Sequence, residues 1–347
     1  MKIANFAIGL DQPPFIIAEM SANHNGSLDR ALELVEAAAK AGAHALKLQT
    51  YTADTMTINK ADGEFAITDP NSLWHGYTLH QLYQEAHTPW EWHGPIFQRA
   101  RELGMVPFSS PFDESAVDFL ESLDTPCYKI ASFECVDIPL IQYVASTGKP
   151  MIISTGLATV AEIDEAVSAA RDAGCKELML LKCTSSYPAS PESSNILTIP
   201  HMRAMFGCEV GLSDHTLGIG AGLAAVAHGA VAVEKHFTLK RSDGGVDGAF
   251  SMEPDELALL VRESESARQA LGVVHYGRTA EEAESTVYRR SLYVVEDLKK
   301  GDVLGANSVR RIRPGFGLEP KFLPQVIGRM VARSVKRGTP ISWDLLV

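Results

Sequence analysis

The chain has 347 residues, 46% of them hydrophobic, with a formal net charge of −12. That length suits one large domain plus a small one, no apolar stretch is long and charge-free enough to span a bilayer, and the acidic balance argues against nucleic acid. The five scattered cysteines have no metal-type spacing and read as reduced thiols; with no signal-peptide layout at the amino terminus, a cytoplasmic protein is expected.

Along the chain, short β-branched runs ending in polar or charged residues recur eight times, with helix-like sequence between them. The first, FIIAE, ends at Glu19, and the turn Asn23-His24-Asn25-Gly26 follows it. Ser27 can cap a helix over 28–41, which has apolar residues at Leu28, Leu32, Val35 and Ala39 and stops at Gly42. ALKLQ carries Lys47. A long insertion over 51–90 contains Trp74, Gly76, Tyr77, Tyr83 and Trp90, and an insertion of that length shapes a pocket. MVPFSS then ends at Ser110, CYKIAS carries Lys129 and Ser132, and MIIST carries Ser154. LMLLKCTSS leads to Ser185, EVGLSDH to His215 and VAVEKH to His236, with further helices expected at 114–122, 138–146, 160–173, 218–229 and 254–271.

Strand and helix alternating eight times imply a (β/α)8 TIM barrel over residues 1–271, with the strand C-termini converging on one mouth. Residues 272–287, including the acidic TAEEAES, read as a linker. Residues 288–347 are short strand-like runs broken by Gly and Pro, a module whose core is marginal by itself. This module holds 12 Lys/Arg against five Asp/Glu, a balance of +7 that leaves −19 on the preceding residues. A basic tail behind an acidic body is expected to dock on such a body, its own or a partner's.

Side chains two apart on a strand share a face. Ala230, Ala232, Glu234 and His236 therefore line one side of the last strand, and Val231, Val233 and Lys235 the other. The same parity groups Gly211, Ser213 and His215, and also Ala45, Lys47 and Gln49. His215 and His236, at matched ends of neighbouring strands beside Asp214 and Glu234, suit a weakly held divalent ion, Mn²⁺ or Mg²⁺ rather than structural zinc. Lys47 and Lys129 are inner lysines, costly to bury without an anion. With Ser110, Ser132, Ser154, Ser185 and Ser213 as hydroxyl donors, they match a small ligand carrying phosphate and carboxylate. A Schiff-base lysine remains an alternative.

The motifs IAEMSANHNG, ALKLQTY, SSPFD, YKIAS, STG, KCTSSYP, GLSDHT and EKHFT, in that order, resemble the sialic acid synthase family. The basic tail with RPGFGL is similar to that family's antifreeze-like (SAF) module, a β-clip fold. WHGYTLHQLY, TPWEW, KCTSSYP and RSDGGVD resemble the pseudaminate branch, whereas neuraminate synthases show Asn where this chain has Ser185. The resemblance implies condensation of phosphoenolpyruvate with an acetamido sugar, with release of phosphate by C–O cleavage. For the pseudaminate branch the sugar is 2,4-diacetamido-2,4,6-trideoxy-L-altrose; N-acetylneuraminate and legionaminate are the alternative products.

By the same resemblance, Lys47, Lys129 and the five serines hold phosphoenolpyruvate, while His215 and His236 hold the metal. Glu19 and Glu234 are the catalytic carboxylates, and Gln49, Tyr187, Asp247 and Arg313 contact the sugar. The resemblance further implies a domain-swapped homodimer in which Arg313 reaches the partner's barrel.

Overall fold

Eight parallel strands close into a barrel in chain order, in a computed structural model that describes residues 1–70 and 72–347. An antiparallel hairpin, β1 (Lys2–Ile3) and β2 (Phe6–Ala7), precedes them. The barrel strands are β3 (Phe15–Glu19), β4 (Ala45–Thr50), β5 (Val106–Pro111), β6 (Tyr128–Ile130), β7 (Met151–Ser154), β8 (Leu178–Cys183), β9 (Glu209–Ser213) and β10 (Ala232–His236). Closure comes from β10 pairing with β3, from Ala232 opposite Phe15 to His236 opposite Glu19.

The period-2 alternation separates two apolar layers. Phe15, Ile17, Ala45, Val106, Phe108, Ile152, Met179, Leu181 and Ala232 fill the lumen. Ile16, Ala18, Leu46, Leu48, Ile153, Leu180, Leu212 and Val233 point outward under the helices. The lumen is narrow: a Cβ on Gly211 would lie 2.6 Å from the Ala232 carbonyl oxygen and 2.7 Å from Leu181 Cδ2. Val231, grouped by parity with Val233, instead packs with the inner layer, because it precedes β10 and escapes its alternation. The hairpin, invisible to periodicity because its strands are two residues each, adds Ile3 and Ile8 to that layer.

Local signals set the helix ends. Ser27 Oγ accepts from Arg30 N at the start of helix Leu28–Ala41, and Gly42 at φ 89° ends it. Asp113, Asp137 and Thr159 cap the helices Glu114–Ser122, Ile138–Ser146 and Val160–Asp172 in the same manner. Among the described residues, the 51–90 insertion contains two α-helices, Ala53–Met56 and Leu79–Ala86, opened by capping boxes at Thr52 and Thr78. Trp74 Nε1 donates to Val246 O at 3.1 Å, which ties the middle of the insertion to the segment after β10, and Trp90 Nε1 donates to Tyr51 O at 3.2 Å, which joins its two ends.

The chain folds as two compact units, Met1–Gly272 and Val273–Val347. The second contains the antiparallel pair β11 (Ser291–Val294) and β12 (Val309–Ile312) with bridges such as Leu298–Val335 and Val331–Leu346. Its length alone predicts a marginal core, yet it has its own apolar cluster, including Leu292, Val294, Leu304, Val326 and Ile341. No helix among the described residues is long and apolar enough to cross a membrane.

Candidate active site

The C-terminal ends of β3, β4, β6 and β10 bring four buried charges into one cluster. Lys47 Nζ lies 2.6 Å from Glu19 Oε2 and 3.2 Å from Glu234 Oε1, and Lys129 Nζ lies 3.4 Å from the same Glu234 oxygen. Ser213 Oγ donates to it at 3.1 Å. The inner lysines thus have intramolecular anions, which sequence parity did not pair, because pairing depends on the stagger between strands that places Glu19 opposite Lys47.

The two carboxylates respond oppositely. Burial would raise Glu234, but Lys129 and Lys47 outweigh it and hold the group at about 2. Burial dominates at Glu19 and lifts it despite Lys47. Burial alone would lower Lys47, yet Glu19 and Glu234 drive it above the ordinary lysine value, whereas at Lys129 burial wins and the pKa falls.

Next to these charges lies a hydroxyl cradle. Ser110 Oγ and Ser154 Oγ are buried without a hydrogen-bond partner among the described residues. Ser132 Oγ accepts from Gly156 N at 3.1 Å, and a Cβ on Gly156 would sit 2.7 Å from that oxygen and overlap Ser185 Oγ. Unspent hydroxyls beside two ammonium groups form a ready-made site for an anion.

The imidazoles of His215 and His236 meet at 5.4 Å between ring centroids. His215 Nδ1 lies 2.9 Å from Thr184 O; donation to that carbonyl places the proton there and frees Nε2. Burial, with the charges of His215 and Lys47, holds His236 well below the usual imidazole value and therefore neutral, and its Nδ1 has no partner among the described residues. Burial would lower His215 too, but Cys183, with Sγ 3.9 Å from Nδ1, lifts it. A free Nε2 on one ring and a neutral, unpartnered imidazole on the other fit a pair of cation ligands. Among the described residues no three His, Cys, Asp or Glu side chains converge as a metal cluster.

Tyr187, expected by resemblance to contact the sugar, packs its ring 4.4 Å from His215, and Trp74 and Phe250 extend that wall. Gln49 Nε2 donates to Glu19 Oε1 at 3.3 Å and to Ser21 Oγ at 3.1 Å, and Ser21 Oγ donates to Asp247 Oδ2. Gln49, half-buried, and the buried Asp247 therefore belong to one hydrogen-bonded chain reaching Glu19. Arg313 lies exposed in the second unit, next to Pro314.

One expectation is corrected. Asp214 does not face the mouth beside His215: its carboxylate turns outward to Lys235 Nζ at 3.1 Å, since adjacent residues on an extended chain point to opposite faces. Sequence reasoning also missed Glu134, whose Oε2 is buried without a hydrogen-bond partner among the described residues. Burial raises its carboxyl to about 7, opposed first by a hydrogen bond from its own backbone amide and then by Lys129. Gly156 was missed as well. Glu134 sits in the short 3-10 helix Phe133–Val136 and Gly156 in a turn, both after strands, where no period marks a residue; SFEC and STG place each two positions beyond a cradle serine, the only available signal.

A family profile described as the NeuB family matches residues 34–276, and a SAF domain profile matches residues 289–347. The pseudaminic acid synthase of Campylobacter jejuni is 42% identical over 97% of this chain and 97% of its own. The N,N'-diacetyllegionaminic acid synthase of Legionella pneumophila is 36% identical over 95% of this chain and 94% of its own. The crystal structure of an N-acetylneuraminic acid synthetase from Leptospira borgpetersenii, in complex with citrate, superposes with a TM-score of 0.72 at 33% identity. It covers 83% of this chain and 95% of that one.

Proposed function

The chain belongs to the NeuB family, and we propose that it makes pseudaminic acid, condensing phosphoenolpyruvate with 2,4-diacetamido-2,4,6-trideoxy-L-altrose and water and releasing phosphate. The observation that carries this reading is a single mouth combining two buried ammonium groups, unspent serine hydroxyls and a pair of imidazoles. Lys47 and Lys129 offset the charge of phosphoenolpyruvate, and Ser110, Ser132, Ser154 and Ser185 donate to its oxygens, joined by Ser213 once its hydroxyl turns from Glu234 to the substrate. Glu234, shared by both lysines, holds their ammonium groups apart at fixed positions.

The methylene carbon of phosphoenolpyruvate attacks the open-chain aldehyde and leaves C2 cationic. Glu19, in register with His236, faces that carbon and takes the proton of the water that adds there. The aldehyde oxygen takes up the proton held by Glu19, and phosphate departs with the C2–O bond's electron pair, carrying off the proton of the C2 hydroxyl as that carbon becomes the ketone. When bound at His215 and His236, Mn²⁺ or Mg²⁺ supplies Lewis acidity at the aldehyde oxygen. Gln49, Asp247 and Tyr187 line the sugar side.

The working unit in this reading is a domain-swapped homodimer. Support comes from the balance of +7 over residues 288–347 against −19 before them, with the exposed Arg313 offered to the neighbouring subunit's sugar. Phosphate release measured with phosphoenolpyruvate against a panel of acetamido sugars, followed by product mass, tests the reaction. Preferred turnover of the legionaminate or neuraminate precursor would move the product to those acids. Pyruvate trapped on the chain by borohydride would replace the mechanism with a Schiff base. Chelation should abolish turnover, and full activity after exhaustive EDTA would remove the metal.

A further inference from the structure

On the outer face of β8, Lys182 is a fourth buried lysine, only 8% exposed. Lys47, Lys129 and Lys235 each have a carboxylate within 4 Å, but among the described residues Lys182 has none. Asp214, whose charge reaches it, is already held by Lys235 Nζ and Thr216 N. Lys182 Nζ donates to Thr184 Oγ1 at 2.7 Å and to Ser193 O at 3.4 Å, which leaves one of three N–H groups unspent. A buried ammonium with spare donor capacity and no counter-ion is costly.

This lysine also lines a cavity of about 300 Å³ beside the helices Val160–Asp172 and Thr198–Phe206, with Leu157, Val160, Met202, Met205 and Phe206 among its walls. Leu157, Val160 and Met205 are exposed at 73%, 56% and 47%, so its lining includes apolar side chains open to solvent. The volume sits at the lower end of the roughly 300–1,000 Å³ typical of ligand pockets. Apolar walls around one cation complement a short hydrophobic tail ending in a carboxylate. The cavity lies outside the barrel, whereas the serines and imidazoles face the mouth.

We propose that this groove is a second ligand site for a small apolar carboxylate, and that its occupancy is felt at His215. The link is Thr184: its hydroxyl accepts from Lys182, and its carbonyl oxygen accepts from His215 Nδ1 at 2.9 Å. A carboxylate that draws Lys182 away from Thr184 slackens the segment that orients His215.

The probes are 4-phenylbutyrate and its uncharged amide, titrated calorimetrically into the full chain with and without saturating phosphoenolpyruvate. The acid should bind at least tenfold more tightly than the amide, and equally well with phosphoenolpyruvate present. Lys182→Met should erase the acid's advantage. Equal binding of acid and amide to the native chain would overturn the site without relying on any variant, as would displacement of the acid by phosphoenolpyruvate. In the phosphate-release assay, bound acid should lower kcat severalfold with little change in KM for phosphoenolpyruvate. An unchanged kcat at full occupancy would overturn the link through Thr184 while leaving the site in place.

Discussion

Gly156→Ala adds one methyl group at the point where the serine cradle closes. The new Cβ would overlap Ser185 Oγ and lie 2.7 Å from Ser132 Oγ and 3.0 Å from Ser132 Cβ. Ser185 can rotate, but Ser132 accepts from the amide of residue 156 itself, so that hydroxyl cannot move without losing its donor. Overpacking of this size costs about 1–3 kcal/mol of stability. Each hydroxyl turned away from an anionic oxygen forfeits about 1.5–3 kcal/mol of binding, roughly a tenfold to hundredfold rise in KM for phosphoenolpyruvate. Thermal unfolding and phosphate release at varied phosphoenolpyruvate separate the two effects. Adding Ser185→Ala to Gly156→Ala removes the worst overlap and should recover stability but not KM. A folded Gly156→Ala enzyme with native KM would refute the cradle as the binding site for this substrate.

Other outcomes are equally specific. Burial raises Glu134 from 4.5 to about 7, so the folded chain binds more protons than the unfolded one between those values. Its contribution is present below about pH 4.5 and lost as pH rises through about 7, on the order of 3 kcal/mol in total. Chemical denaturation across pH should show that slope, and Glu134→Gln should flatten it; an identical slope in the variant would assign it elsewhere. Lys235→Met strands the buried Asp214 charge and should cost about 3–5 kcal/mol in urea unfolding, mostly recovered by adding Asp214→Asn. A loss below about 1 kcal/mol would mean that the pair is not desolvated as its burial implies. Truncation after Gly272 should leave a folded barrel with its own apolar layers but little turnover. Full activity in that fragment would remove the swapped tail.

Much of this molecule is legible in one dimension because strand alternation and helix capping are local. Period-2 patterning grouped Lys47, Ser213, Glu234 and His236 on the strand faces that line the lumen, and Ser27 and Gly42 bounded their helix where sequence put them. The ordered motifs indicated the family, which the profile matches bear out. Tertiary structure decided which charges meet. Glu19 pairs with Lys47 rather than Lys129 because strand stagger sets them opposite, and no single strand encodes its offset from the next. It also turned Asp214 away to Lys235 and, among the described residues, left Lys182 without an acid within 4 Å. Gly156 and Glu134 became visible only there, since their importance lies in what approaches them across space. Within the strands sequence determined which face a side chain takes, because that depends on neighbours along the chain; Val231, just ahead of its strand, escaped the rule. Distances between strands depend on packing of the whole barrel, and only the folded chain supplies them.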